Sequence, residues 1–149
     1  MIYIVVIPFN FMEPFNNRDV LIVYNVMLFG IIGLLVGVTP VRTEDMSPRL
    51  QKALRSGILA VSSLAILVSL YALSAILYRT VDGGITINRM AVIGWNTLNT
   101  GLLIWLVYRL LRNKSGRWEQ ELQMVFSKGA AGYAFWGLFI ILAVPLLFR

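Results

Sequence analysis

The sequence predicts an all-α integral membrane bundle of four transmembrane helices, with a short interfacial segment at the N-terminus. Two observations carry this prediction. Of the 149 residues, 58% are apolar and 13% are charged, whereas soluble domains carry about 25% charged residues. The apolar residues are also concentrated in four long stretches. The length is typical of one domain, so residues 1–149 are predicted to form a single membrane domain.

The four apolar stretches cover about residues 20–38, 57–78, 90–111 and 130–148. About 20 apolar residues are enough to cross about 30 Å of hydrocarbon. Each stretch must be helical, because lipid offers no hydrogen-bond partner to an open backbone group. Residues 1–12 are apolar but too short to span, so we expect them to lie at the interface or to re-enter the bundle.

Residues between the first three spans indicate where helices begin. Ser47 followed by Pro48 is typical of an N-cap and first turn, so a helix is expected to begin there and continue into span two. Gly83 and Gly84 indicate a turn, after which Thr86 is expected to cap the third span.

A separate amphipathic helix is predicted between spans three and four, over residues 117–128. Its apolar side includes Trp118, Leu122 and Val125. We expect this side to lie on the cytoplasmic membrane surface, with Trp118 at the level of the headgroups. Pro145 lacks a backbone donor and is expected to kink or end the fourth span.

The distribution of Lys and Arg predicts the orientation. Loops one and three carry nine of these residues and the opposite side carries four, which together are the 13 of the sequence. The positive-inside rule therefore places loops one and three in the cytoplasm and both termini outside. With a net charge of +6, we expect these loops to contact anionic lipid rather than nucleic acid. The nine are Arg42, Arg49, Lys52, Arg55, Arg109, Arg112, Lys114, Arg117 and Lys128, against Arg18, Arg79, Arg89 and Arg149.

Histidine and cysteine are both absent from the sequence. Their absence excludes thiolate metal sites, histidine ligands and the nucleophile–base pairs that depend on either residue. No Asp, Glu, Lys or Arg falls at the middle of a predicted span, which argues against proton or ion coupling. We therefore expect no enzyme activity, no cofactor and no metal site.

Small residues recur in the spans at the spacing that lets helices approach closely in lipid. They permit two interpretations: internal packing of the bundle, or a face that docks a helix of another subunit. The candidates are Gly30, Gly33, Gly37, Ser62, Ala65, Ser69, Ala72, Gly94 and Gly101.

The most polar part of any predicted span is one face of span three. It is formed by Asn96, Thr97, Asn99 and Thr100. Amides in hydrocarbon are costly unless they are hydrogen-bonded, so this face should point inward or toward a partner. Asn25 and Ser69 are candidate internal partners. Alternatively, the face lines a path for a solute or holds the polar group of a ligand.

A third cluster of polar residues flanks the turn between spans two and three. One interpretation is an ion pair between Asp82 and the flanking arginines that stabilises the hairpin. The other is that the two guanidiniums hold an anionic headgroup or a polar ligand. The cluster consists of Arg79, Asp82 and Arg89, which flank the turn at Gly84 and the capping Thr86.

The stretch from Tyr78 to Asn96 reads YRTVDGGITINRMAVIGWN. It resembles the C-terminal membrane region of bacterial multi-pass proteins grouped as domain-of-unknown-function family 4153, through its tyrosine-arginine span end, its G-I-T-x-N-R core and its G-W-N end. The closing segment from Tyr133 to Phe148 is similar to the last span of that family. The resemblance implies a bacterial cytoplasmic membrane and no mechanism. It also implies that the residues that match the motif, Gly84, Thr86, Asn88 and Arg89, shape the external hairpin.

Two functions remain open at this point. The first is a non-catalytic integral membrane subunit that packs against other membrane subunits and stabilises a larger assembly. The second is a small homo-oligomeric transporter or channel that uses the polar face of span three.

Overall fold

A computed structural model describes Phe15 and residues 18–38, 46–113 and 118–147 of the chain. Within these ranges the regular structure is helical: α1 (Arg18–Gly37), α2 (Pro48–Gly83), α3 (Ile87–Arg112), α4 (Trp118–Leu142) and α5 (Val144–Leu147). Helices α1 to α4 are each long and apolar enough to cross a membrane. The predicted all-α membrane bundle is therefore confirmed, whereas the predicted interfacial segment of residues 1–12 lies outside the described residues.

Consecutive helices are neighbours in the bundle. Helix α2 packs along α3, α1 packs against α2, and α4 packs against α3 with a smaller contact to α1. Short connections make this arrangement the expected one. We call the end of the bundle at residues 84–86 the hairpin end, and the end at which α2 begins and α3 finishes the loop end.

Both predicted helix starts are confirmed by their caps. The backbone N–H of Leu50 donates to the Ser47 hydroxyl at 3.4 Å, and that of Arg89 donates to the Thr86 hydroxyl at 3.3 Å. Between α2 and α3, Gly84 has a φ of 77°. A side chain is disfavoured at that φ, so glycine is the residue that allows the tight turn.

The bundle interior contains two apolar clusters separated by polar side chains. The cluster at the loop end is contributed by all four long helices and includes Leu28, Leu103, Leu106 and Leu122. The cluster at the hairpin end is smaller and is formed by Leu21, Tyr24, Val68, Ala72, Ala75 and Ile76.

The fourth long helix differs from its prediction. Residues 118–142 form one helix, so the predicted surface helix of residues 117–128 is instead the first part of α4. Trp118 is 4% exposed and Leu122 and Val125 are fully buried. The apolar side packs into the bundle because α1, α2 and α3 offer it a protein core, which the sequence pattern cannot distinguish from lipid.

The regular part of α4 ends at Leu142, earlier than the predicted span end at about residue 148. The N–H of Ala143 donates to the Phe139 carbonyl at 2.9 Å, after which the short α5 follows. This break precedes Pro145, as predicted, because proline cannot donate to the carbonyl one turn earlier.

Candidate functional site

A cleft of about 810 Å³ lies at the hairpin end, between α1, α2 and α3. We refer to it as the hairpin cleft. Four of the residues predicted to shape the hairpin line it, together with residues of α1 and the first turns of α3. Its lining consists of Leu21, Ile22, Asn25, Ile76, Arg79, Thr86, Asn88, Arg89, Ala91, Val92 and Trp95.

Two guanidinium groups face this cleft, those of Arg79 and Arg89. Arg79 is half-buried, and its Nη1 atom is buried without a hydrogen-bond acceptor. Arg89 donates from Nη1 to the Gly84 carbonyl at 2.6 Å. Within the described ranges, no Asp or Glu lies at ion-pair distance from either group. Among the described residues, no negative charge compensates the two guanidiniums at the rim of the cleft.

The predicted ion pair with Asp82 does not form. Asp82 is exposed and lies outside the lining of the cleft. The hairpin is instead closed by the Arg89 guanidinium, which also lies so close to Gly83 that a Cβ there would be 2.8 Å from Nη1. The turn brings the Arg89 guanidinium close to the Gly84 carbonyl, which accepts its hydrogen bond in place of the Asp82 carboxylate.

The first turn of α3 adds to the positive potential of the cleft. Thr86, Asn88 and Arg89 all belong to this turn or its cap, and all three line the cleft. The backbone N–H groups at a helix start have no partner within the helix, and the helix dipole is positive there. The positive end of the helix dipole and the two guanidinium groups therefore lie together at the rim of the cleft.

The predicted polar face of α3 is largely internal. Asn96 and Asn99 are fully buried and Thr100 is 6% exposed, whereas Thr97 is exposed and donates to the Ile93 carbonyl of its own helix. These buried groups form the layer between the two apolar clusters. Sequence reasoning correctly anticipated the two internal partners, Asn25 and Ser69.

Each buried polar side chain of the layer reaches another helix. Asn96 donates from Nδ2 to Asn25 Oδ1 on α1 at 2.6 Å, and the hydroxyls of Ser69 and Thr100 join α2 to α3. The Tyr133 hydroxyl of α4 donates to Asn99 Oδ1. Sequence reasoning missed Tyr133, because its hydroxyl sits in a span whose neighbours give no polar signal.

Two amide atoms of the layer remain without a partner in the described residues. They are the Oδ1 of Asn96 and the Nδ2 of Asn99, and the hydroxyl of Ser62 is also unpaired. Each such group costs free energy in an apolar interior. The layer therefore joins the helices without satisfying every polar atom in it.

The small residues divide between the two interpretations. On α2, Ser62, Ala65, Ser69 and Ala72 are all buried and let α3 approach. Gly94 of α3 also lies at a close approach, because a Cβ there would be 1.8 Å from the Trp136 ring of α4.

The glycines of α1 are placed differently. Gly30, Gly33 and Gly37 are exposed, and a Cβ on any of them would meet nothing within 4 Å. Gly101 of α3 is in the same situation. These four positions do not serve the internal packing of the described bundle.

A polar network at the loop end was not predicted. Glu121 is 7% exposed and its carboxylate lies 2.8 Å from Nε of Arg109, while Asn113 donates to its other oxygen at 2.6 Å. The available signal was the position of Glu121, which falls on the apolar side of its helix between Trp118 and Val125.

Only part of the predicted basic lipid surface is exposed. Arg49 and Lys52 are exposed, whereas Arg55 is half-buried and donates to the carbonyls of Leu110 and Asn113 at 2.6 and 3.0 Å. Arg55 thus caps the end of α3, whose last carbonyls have no partner within the helix. Contact between anionic lipid and the loops stays a prediction.

Comparison with protein-family models, curated proteins and solved structures finds no match to this chain. The resemblance of residues 78–96 and 133–148 to family 4153 therefore stays a prediction.

Proposed function

We propose that this chain is a non-catalytic integral membrane subunit that packs into and stabilises a larger membrane protein assembly. We also propose that it resides in a bacterial cytoplasmic membrane with both termini on the periplasmic side. The excess of Lys and Arg in loops one and three supports the orientation.

The observation that carries the assembly proposal is the glycine face of α1. At 100° per residue, Gly30, Gly33 and Gly37 lie within about 60° of one another. Glycine lowers the stability of a helix and exposes its backbone, and internal packing here does not require it. In lipid, small residues are favoured where a second helix approaches closely. A helix of another subunit is the occupant that this face fits.

The exposed surface of α4 is consistent with the same role but does not carry it. In its most apolar 18-residue stretch, 6% of the residues are buried, against 39% for the corresponding stretch of α2. Phe135 and Ile141 are 72% and 69% exposed. Lipid tails cover such side chains as well as a protein does, so this surface leaves the choice between lipid and partner open.

The polar layer supports the subunit over the transporter. Asn96, Asn99 and Thr100 use their side chains to join helices within the bundle, and none of them is more than 6% exposed. If this face lined a solute path, these three side chains would have to break their interhelical hydrogen bonds to contact the solute. The absence of charged residues at the middle of the spans supports the same choice.

The test is purification from native membranes in mild detergent, followed by mass analysis of everything that co-elutes. We expect larger membrane proteins in fixed stoichiometry. Gly33→Leu with Gly37→Leu should lose them, because the added side chains hold a partner helix away. Gly57→Leu is the matched control, since Gly57 is also exposed with nothing within 4 Å.

Recovery of the unmodified chain as a stable monomer would overturn the proposal. Recovery as a homo-oligomer with solute flux in liposomes would instead favour the transporter. In that case Asn96→Leu and Asn99→Leu would be the variants expected to abolish the flux.

A further inference from the structure

We propose that the hairpin cleft binds an anionic phospholipid, with the phosphate on Arg79 and Arg89 and an acyl chain along the apolar wall of the cleft. Three features of the cleft support this proposal: the charge of its rim, the helix start beside the rim and the composition of its wall. It does not depend on whether the chain is a subunit of an assembly.

The guanidinium groups at the rim would be stabilised by a bound anion. Arg79 has a buried Nη1 with no acceptor, and neither it nor Arg89 is paired with a carboxylate in the described part of the chain. A buried guanidinium nitrogen without an acceptor is costly. A phosphate oxygen is an acceptor that matches the planar geometry of guanidinium donors.

The start of α3 strengthens the same site. Thr86 accepts from the Arg89 backbone N–H, which leaves the hydroxyl hydrogen of Thr86 free to donate. Asn88 supplies an amide at the same rim. Helix starts attract phosphate through free N–H groups and the helix dipole. Side-chain and backbone donors therefore converge on one opening.

The wall of the cleft distinguishes a lipid from a free phosphate. Below the rim it is formed mainly by apolar side chains: Leu21, Ile22, Ile76, Ala91, Val92 and Trp95. A volume of about 810 Å³ is far larger than an inorganic phosphate needs, and it falls within the range of pockets that hold small organic ligands. A phospholipid satisfies both the rim and the wall, and the surrounding bilayer supplies it.

The test compares phosphatidylglycerol with phosphatidylcholine of the same acyl chains. The full-length chain, with any subunits that co-purify, is delipidated in detergent, and lipid binding is followed by native mass spectrometry. Both lipids carry the phosphate, but the choline ammonium of phosphatidylcholine is repelled by the two guanidiniums, so we expect one phosphatidylglycerol to bind about tenfold tighter. Millimolar inorganic phosphate should not displace it.

Two variants and one control locate the bound lipid. Arg79→Gln should abolish the preference for phosphatidylglycerol. Ala91→Phe should weaken both lipids by filling the wall while both guanidiniums remain. Val81→Gln changes a side chain at the hairpin end that is 88% exposed and lies outside the lining of the cleft, and it should leave binding unchanged. Helix content and elution as one species establish that each variant is folded. If Arg79→Gln does not fold, the affinities of Ala91→Phe decide whether the lipid lies in the cleft.

Three results would overturn the proposal. Equal affinity of the unmodified chain for the two lipids would remove the anion preference. Affinities for both lipids that survive Ala91→Phe unchanged would place the lipid elsewhere, for example on the basic loops. Displacement by inorganic phosphate would reduce the cleft to a simple anion site.

Discussion

The side-chain amide of Asn96 on α3 donates a hydrogen bond of 2.6 Å to the side-chain oxygen of Asn25 on α1. Asn25 in turn donates to the carbonyl of Leu21 at 2.8 Å, and Asn96 donates to that of Val92 at 3.0 Å. The pair therefore anchors α1 to α3 at the level between the two apolar clusters. Apolar contacts alone would let α1 slide along its neighbours, whereas this bond specifies one register.

The Asn25–Asn96 bond should contribute about 1 kcal/mol to the stability of the bundle. Asn96→Leu removes the donor and leaves Asn25 with an unpaired oxygen, so it should be more destabilising than the double change of both residues to Leu. A double-mutant cycle of unfolding free energies in detergent measures the coupling. Thr97→Val is the control, because Thr97 is exposed and bonds within its own helix. Additive single changes would contradict this prediction.

Gly94→Ala should destabilise the bundle by about 1–3 kcal/mol, the usual cost of forcing extra volume into a packed site. The added Cβ would lie 1.8 Å from the Trp136 ring, so α3 and α4 must separate or the indole must move. Thermal unfolding in detergent measures the loss. Trp136→Leu in the same chain should recover part of it. Gly101→Ala, where nothing lies within 4 Å, should have no cost, and an equal loss in both variants would argue against the close approach.

Glu121→Gln should destabilise the loop end by about 1–2 kcal/mol. The change leaves Arg109 without its carboxylate, which lies 2.8 Å away and is largely buried. We expect a smaller loss than for a fully buried pair, because the Arg109 side chain is 33% exposed and partly screened by water. Chemical unfolding measures the loss. Arg112→Gln removes a neighbouring exposed charge and should change little.

Thiol labelling in intact cells tests the proposed orientation. The chain contains no cysteine, so a single introduced thiol is unique. Ala53→Cys near the start of α2 should be protected from a membrane-impermeant reagent until the cells are opened. Val81→Cys at the hairpin end, where the native side chain is 88% exposed, should label from outside. The reverse pattern would invert the proposed topology.

The four spans and the helix starts at Pro48 and Ile87 were predictable from the sequence. Long apolar stretches and caps such as Ser47 and Thr86 are local signals, because partition into lipid and N-terminal capping depend on residues close together in the chain. The register of α4 was not predictable in the same way. The apolar side that begins with Trp118 fits a membrane surface or a protein core equally well by pattern.

The candidate site was predictable in composition but not in arrangement. Arg79, Thr86 and Arg89 were singled out from their positions around the turn and Asn88 from the family resemblance, and all four line the hairpin cleft. The expected ion pair with Asp82 failed, because the geometry of the turn directs Arg89 to a backbone carbonyl. Spacing along the chain does not encode that direction.

By itself, the sequence determined that this is a multi-pass helical membrane protein without histidine or cysteine chemistry, because composition and apolar length are properties of the chain. Tertiary structure alone decided which small residues are buried, which amides are bonded and which arginines share a cleft. Those outcomes depend on how faces from distant segments meet. Gly94 and Gly101 lie seven residues apart on one helix, yet the first touches Trp136 and the second faces open space.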